Sequence, residues 1–375
     1  MIKSWTYLDE YKKYKNQFSK KILHALNSGN IFFGNQLKTF EKNFLRLYKF
    51  KYGSAVGSGT DAIYISLKAL EIGHGDEVIT VSNTAIATVS AIVMSGAKPR
   101  FIDVGKDYLI NTDLIEEKIS KRTKAIICVH LYGQSCNMDK IIKISKKYKL
   151  KVIEDCAQAQ GAKYKNKYVG SFGDLSCFSF YPTKILGAYG DGGFIVAKNR
   201  QLFLKTRLMR FYGIDTLDKK NFFYKKYYSN IHGINSRIDE IQCSILNTKI
   251  KKVKNFIKLR EIIAKTYYKN LINTDLVLPI KNKFNKHVYH LFVVYHPKRD
   301  KILRLLSKNK VNVSIQYPFP IHQMKGYKKL VVRNDKLKNT EKFSKGIFSL
   351  PIYPELKIQK VFKIIKILKK ILQKI

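Results

Sequence analysis

The sequence predicts an α/β fold in which a mixed, mostly parallel sheet is flanked by helices in a large domain, with a smaller C-terminal α+β domain after it. Three observations predict it. Between about residues 53 and 200, short runs rich in β-branched residues alternate with stretches of helical spacing. Several of those runs are apolar on both faces, as in a sheet covered on each side. At 375 residues the chain is longer than one hydrophobic core usually serves, so two domains with a cleft between them are expected.

In chain order, "YGSAVGSGTDAIYISL" (52–67) reads as a glycine-rich turn leading straight into a helix, and "DEVITVS", "KPRFIDV", "KAIICVHLYG", "KVIED", "LSCFSF" and "GGFIVA" read as strands. Between them "TDAIYISLKALEI", "TAIATVSAIVMSG" and "MDKIIKISKKYK" keep helical spacing. From Ser236 a glycine- and proline-free stretch reads as one long helix or two abutting ones leading away from the sheet. The expected division is 1–248, including an N-terminal helical arm, and 249–375. In the second part "HVYHLFVVYH" reads as a strand and "SKGIFSLPIYPEL" as a turn-rich link. The end, "VFKIIKILKKILQKI", sets Phe362, Ile365, Leu368, Leu372 and Ile375 against lysines, the pattern of a final helix packed on its own domain; a membrane-surface helix is the alternative.

The formal net charge of +44 suggests a polyanion partner. Its composition argues otherwise. Only 11 of the 71 basic residues are arginine, and the lysines spread along nearly the whole chain with many Ile, Asn and Tyr, as codon bias would spread them. The Arg-rich stripes and aromatic-interleaved motifs that read bases are missing, so no nucleic-acid partner is expected. The five cysteines contain no CxxC pair, which argues against structural zinc and a disulfide framework. No signal-peptide core and no apolar stretch of membrane-spanning length is found, so a cytoplasmic protein without a membrane partner is expected.

Three stretches could carry chemistry together. The turn around Gly57 and Gly59 opens a helix whose first amides favour an anion, making a phosphate cradle. It mimics a dinucleotide fingerprint, but the acid that fingerprint needs at the end of the next strand is missing. "KVIEDCAQAQGA" ends a buried strand in two acids, and strand parity leaves open whether Glu154 or Asp155 faces the crevice. "SFYPTKILGAYGDGG" then sets Lys184 at a strand end before a glycine cluster, where a desolvated lysine becomes a nucleophile for carbonyls. A phosphate cradle, a buried acid and a lysine, in that order, are what a pyridoxal phosphate enzyme needs.

The motifs "GSGTDAI", "NTAIAT", "AIICVHLYGQ", "VIEDCAQAQGA", "FSFYPTKILGAYGDGG", "INSRIDEIQ" and "LPIYP" also carry a resemblance. In that order, over nearly the whole chain, they resemble the DegT/DnrJ/EryC1/StrS family of nucleotide-sugar aminotransferases. The resemblance implies the fold-type-I aminotransferase architecture, pyridoxal 5'-phosphate as cofactor with pyridoxamine 5'-phosphate as intermediate, and a homodimer with shared active sites. It implies Lys184 as the catalytic lysine joined to the cofactor, Asp155 as partner of the pyridine nitrogen and Gln158 as partner of the phenolic oxygen. Gly59, Thr60 and Ser179 are implied as phosphate ligands, joined by Asn235 from the partner subunit. Tyr181, Arg237 and His322 are its candidates for substrate contact. Two departures stand out: Ala85 replaces an aromatic common in the family, and Gln316 replaces a histidine.

"VHLYGQSCNMD" and "YPFPIH" are most similar to the branch acting on C-3 keto, 6-deoxy sugars linked to dTDP. The expected reaction converts such a sugar to its 3-amino-3,6-dideoxy form with L-glutamate as donor, for surface-glycan (lipopolysaccharide or O-antigen) synthesis. The rivals are amination at C-4, a pyridoxamine-dependent sugar dehydratase, against which Lys184 speaks, and a basic nucleic-acid-binding protein suggested by charge alone.

Overall fold

The computed structural model describes residues 1–215, 227–332 and 337–375. Two helices open the chain, α1 (Leu8–Asn27) and α2 (Asn35–Tyr48). The start of α2 is held by a distant carboxylate. Glu240, 2% exposed, accepts the N–H groups of Gly34, Gln36 and Leu37 at 2.7–3.0 Å, satisfying amides that a helix N-terminus leaves free.

The main sheet is built from β1 (Tyr52–Val56), β2 (Glu77–Val81), β3 (Lys98–Ile102), β4 (Thr123–Val129), β5 (Lys151–Asp155), β8 (Leu175–Ser179) and β9 (Gly193–Ala197), in the order β1-β9-β8-β5-β4-β2-β3. Here β6 (Lys163–Tyr164) and β7 (Lys167–Tyr168) form a hairpin off the sheet, joined by β10 (Asn285–Lys286). From β3 to β8 the pairings are parallel, while β9 runs antiparallel to both β8 and β1. The six runs expected as strands in this region are strands. The glycine-rich turn is shorter than expected, because its first five residues form the edge strand β1 against β9. Alternate residues of Tyr-Gly-Ser-Ala-Val carry few apolar groups, so period 2 is faint there.

Helices α3 (Gly59–Ala69), α4 (Ile86–Met94), α5 (Met138–Lys147) and α6 (Arg200–Met209) cover the sheet. One face packs Val56, Ile63, Leu67, Val78, Ile127, Ile153 and Ile195. On the other, a second cluster is rich in aromatic rings, with Phe44 at 4.4 Å from Phe194 and 5.2 Å from Phe178 between centroids.

After α7 (Glu240–Ile250) the chain turns at residues 251–252 into α8 (Val253–Leu271), so the glycine-free stretch is two abutting helices. Beyond them β11 (Phe292–Tyr295) pairs antiparallel with β12 (Ile347–Leu350), among α9 (Arg299–Lys308), α10 (Lys338–Gly346) and α11 (Ile358–Leu372). The stretch expected as a turn-rich link thus contains β12. Its prolines lie after the strand, so they do not interrupt the ladder. The final helix packs Val361, Ile364, Ile365, Leu368 and Leu372 into the same core as Phe292 and Phe348, while Phe362 is exposed. Among the described residues no helix is long and apolar enough to cross a membrane.

The start of the chain packs against this region: Ile2 exchanges backbone hydrogen bonds with Lys310 and Asn312 and lies in the core around α11.

Candidate active site

At the carboxyl end of β5, strand parity separates the two acids. Glu154 is fully buried and turns inward to the protein, where Gly170, Phe172 and Gly173 donate backbone N–H groups at 2.7–2.8 Å and His130 Nε2 lies at 2.9 Å. The backbone N–H of Cys136 donates to His130 Nδ1, which leaves the imidazole proton on Nε2, directed at Glu154. Burial works to raise the Glu154 pKa, but the imidazole and the amides together hold it below the ordinary carboxylate value.

Asp155 turns the other way. Thr88 of α4 donates to its Oδ2 at 2.7 Å and the Ala157 N–H to its Oδ1 at 3.1 Å. Three residues on, Gln158 Oε1 accepts the Tyr132 N–H, which leaves the amide nitrogen to donate to the Tyr317 hydroxyl at 2.9 Å. Burial, and then the nearby Asp155, push the Tyr317 pKa up, so that hydroxyl keeps its proton.

Lys184 lies in the loop between β8 and β9. The loop is compact: Lys184 N donates to Tyr181 O, Ala188 N to Phe180 O and Phe180 N to Gly192 O. Glycine is required at position 187, where a Cβ would come 2.5 Å from Pro182 O. Lys184 keeps part of its surface open to a cavity, yet protein crowds its ammonium. Burial lowers its pKa to about 8, with Asp155 pulling partly the other way.

The cavity has a volume of about 440 Å³, and three parts of the chain line it: Ser4 and Trp5 from the start, Gln158, Tyr181, Thr183 and Lys184 from the sheet side, and Arg260, His290, Gln316, Tyr317 and Ser349 among others from the C-terminal part. Its lining contains no Asp or Glu. Burial, reinforced by Lys184 and Arg260, holds His290 well below the ordinary imidazole value, so the ring is neutral.

The start of α3 makes the expected anion cradle. Ser58 caps the helix by accepting the Asp61 N–H at 3.0 Å, and the Gly59 and Thr60 N–H groups are left without a partner among the described residues. Backbone lies close here: a Cβ on Gly193 would fall 2.2 Å from Ser58 O, and one on Gly59 2.8 Å from Ser179 Cβ. Ser179 accepts the Tyr181 N–H and keeps its own hydroxyl proton for another partner. Free amides, a hydroxyl donor, a carboxylate, an amide donor and a lysine of lowered pKa are the donor set that pyridoxal phosphate calls for, so the residues present fit that group.

Asn235 is exposed, its side-chain amide unbonded within the described chain, although the adjacent Ser236 ties this segment to Gly57 and Asp61. Arg237 stacks its guanidinium over Phe32 at 4.2 Å and Phe211 at 4.8 Å, away from the cavity holding Lys184. Tyr181 lines that cavity and is 53% exposed. His322 does not line it: Ser82 Oγ lies 2.8 Å from Nδ1 and Glu341 3.3 Å from Nε2, which occupies both ring nitrogens. Ala85 is the N-cap residue of α4.

Sequence reasoning missed Thr88, Tyr317, Arg260 and the Ser4–Trp5 segment. Thr88 stands inside "NTAIAT", where a threonine on a helix beside an acidic strand end is a usable signal. Arg260 had none, since a buried arginine in a helix of lysines looks like surface.

The model of the DegT/DnrJ/EryC1/StrS aminotransferase family matches residues 12–369. The chain is 38% identical over 358 residues, 94% of each chain, to dTDP-3-amino-3,4,6-trideoxy-alpha-D-glucose transaminase of Micromonospora megalomicea subsp. nigra. It is 38% identical, over 94% of this chain and 95% of the other, to dTDP-3-amino-3,6-dideoxy-alpha-D-galactopyranose transaminase of Aneurinibacillus thermoaerophilus. The crystal structure of S. venezuelae DesV in complex with a ketimine intermediate superposes with a TM-score of 0.91, at 31% identity, over 96% of this chain and 95% of that one.

Proposed function

The chain belongs to the DegT/DnrJ/EryC1/StrS aminotransferase family, whose members depend on pyridoxal phosphate, and we propose that it transfers the amino group of L-glutamate to C-3 of a dTDP-linked 3-keto-6-deoxyhexose. The observation that carries the reading is Lys184, which opens into a cavity beside Gln158 and has its pKa drawn down to about 8 by burial. Support for the sugar comes from the two curated relatives, both transaminases of dTDP-3-amino sugars.

Pyridoxal phosphate, when bound, supplies an aldehyde and an electron-accepting ring that let an amino group pass between two carbonyl compounds in two half-reactions. Gly59, Thr60 and Ser179 would hold its phosphate, Asp155 its ring nitrogen and Gln158 its phenolic oxygen. Burial draws the Lys184 pKa down to about 8, which suits its Nζ to giving and taking a proton. Thr88 keeps the Asp155 carboxylate aimed, and Tyr132 keeps the Gln158 amide nitrogen turned to the cavity.

The free amide of Asn235 on an exposed segment supports a homodimer in which it completes the partner's phosphate site. We read residues 1–248 as the cofactor-binding domain and 249–375 as the smaller domain, in a cytoplasmic enzyme supplying an amino sugar for surface glycans. Tyr181 and Arg237 remain substrate candidates, the latter across the dimer; His322 has both ring nitrogens engaged and would need to exchange a partner to touch a sugar.

The test is direct. The purified, cofactor-loaded enzyme is expected to aminate the 3-keto substrate with glutamate, measured as released 2-oxoglutarate, and Lys184→Ala to abolish turnover. Amination of the 4-keto isomer alone would overturn the assignment to C-3.

A further inference from the structure

An amino donor brings a carboxylate as well as an amino group, and a carboxylate entering a partly dry cavity needs donors or a cation to replace its water. The cavity around Lys184 has one other cation, Arg260, which is 2% exposed. No carboxylate among the described residues comes within salt-bridge distance of it. Its Nη1 is spent on the backbone carbonyls of Tyr289, His290 and Ile352 at 2.9–3.2 Å, which fix the guanidinium plane, while Nε is buried without a partner. The guanidinium is therefore held in place without a direct ion pair, while the more distant carboxylates of Glu355 and Glu10 act on it through space.

Gln316 lines the same cavity, and its amide orientation follows from its neighbours. Ser349 Oγ at 2.6 Å and Ser314 Oγ at 3.3 Å both donate to Oε1. With its oxygen so occupied, Nε2 is the outward end of the amide, and neither of its N–H groups has a partner among the described residues. Tyr317, the next residue, accepts from Gln158 and keeps its own O–H for another acceptor.

We infer that Arg260 and Gln316 form the seat for a carboxylate of the amino donor, opposite the lysine that works on its amino group. The donor set favours this occupant: the free N–H groups of Gln316 and a fixed guanidinium suit one carboxylate, whereas the diphosphate of a nucleotide carries more charge than this guanidinium, already offset in part by Glu355 and Glu10, can answer. The inference rests on the reading of the chain as a glutamate-dependent aminotransferase. Arg260 and Gln316 act here in binding and orientation, and no bond is made or broken at either.

The experiment titrates glutarate, a dicarboxylate without an amino group, into the cofactor-loaded protein and follows the fluorescence of Trp5, the only tryptophan of the chain, which lines the cavity. Gln316→Ala removes the donor and Gln316→Glu keeps the shape while adding a repelling charge; Arg260→Lys is the third variant, with thermal unfolding as a check on folding. Glutarate affinity is expected to fall about tenfold in Gln316→Ala and further in Gln316→Glu, as loss of a hydrogen bond to a charged group does. Affinity for dTDP is expected to stay within about twofold. Unchanged glutarate binding in both Gln316 variants, or a loss confined to dTDP, overturns the inference even if Arg260→Lys fails to fold. Failure of the underlying reading looks different: wild-type enzyme whose cofactor absorbance does not respond to glutamate.

Discussion

Thr88 donates its hydroxyl to Asp155 Oδ2 at 2.7 Å, and in doing so leaves its own oxygen to accept the hydroxyl of Thr84 at 3.0 Å. The chain of donors runs from the loop after β2 to the end of β5 and orients a carboxylate that has no cation bonded to it among the described residues. Thr88→Val removes the donor at nearly constant volume. Cofactor affinity, measured by absorbance titration of cofactor-stripped protein, is expected to fall about five- to tenfold, the size of one hydrogen bond to a charged group, and to return in Thr88→Ser.

Lys184 predicts a pH dependence of stability. Its folded pKa of about 8 lies below the unfolded value near 10.5. Below pH 8 both states hold the proton and the cost of burying the charge is fully present. Between the two values the unfolded chain binds the proton that the folded chain has lost, so stability rises with pH; above 10.5 the cost is gone. Lys184→Met is therefore expected to stabilise cofactor-free protein at pH 7, by on the order of 1–2 kcal/mol after allowance for water in the cavity, and by much less at pH 10. Urea unfolding of both proteins at the two pH values checks this; an equal gain at both would sink it.

Glu154 and Asp155 are expected to fail differently. Glu154→Ala strips a buried partner from three amides and an imidazole, and should destabilise the fold by about 3 kcal/mol or more. Asp155→Ala should leave thermal unfolding of the cofactor-free protein far less changed while weakening cofactor retention. Because the Glu154 pKa is depressed, its contribution is present above the unfolded value and disappears as pH falls through the folded one. Wild-type protein should thus lose stability in acid over that interval, and Glu154→Ala should lack this component.

Glu240→Ala tests the cap on α2. Removing a 2% exposed carboxylate from three helix-start amides should cost about 2 kcal/mol and loosen residues 34–37, read as faster amide exchange there with little change at Lys184.

The sequence by itself determined the strand runs from residue 76 to 197, the helix after Gly59, and the order of a glycine turn, an acid pair at Glu154 and Asp155, and Lys184. Those are local: period 2, helical spacing, glycine turns and motif order need no distant partner to be read. Where the local pattern was thin, at β1 and β12, the reading missed strands that exist because β9 and β11 offer edges to pair with. Only the tertiary structure decided that Glu154 turns into the protein and Asp155 toward Thr88, since strand parity is meaningful only once the two faces of the sheet are known. It also decided that His322 is tied to Ser82 and Glu341, that Thr88 aims Asp155, and that Arg260 and Gln316 share a cavity with Lys184. Along the chain these pairs stand 19 to 240 positions apart, and burial, which gives a lone donor or charge its chemical meaning, is a property of the folded surroundings and not of neighbouring letters.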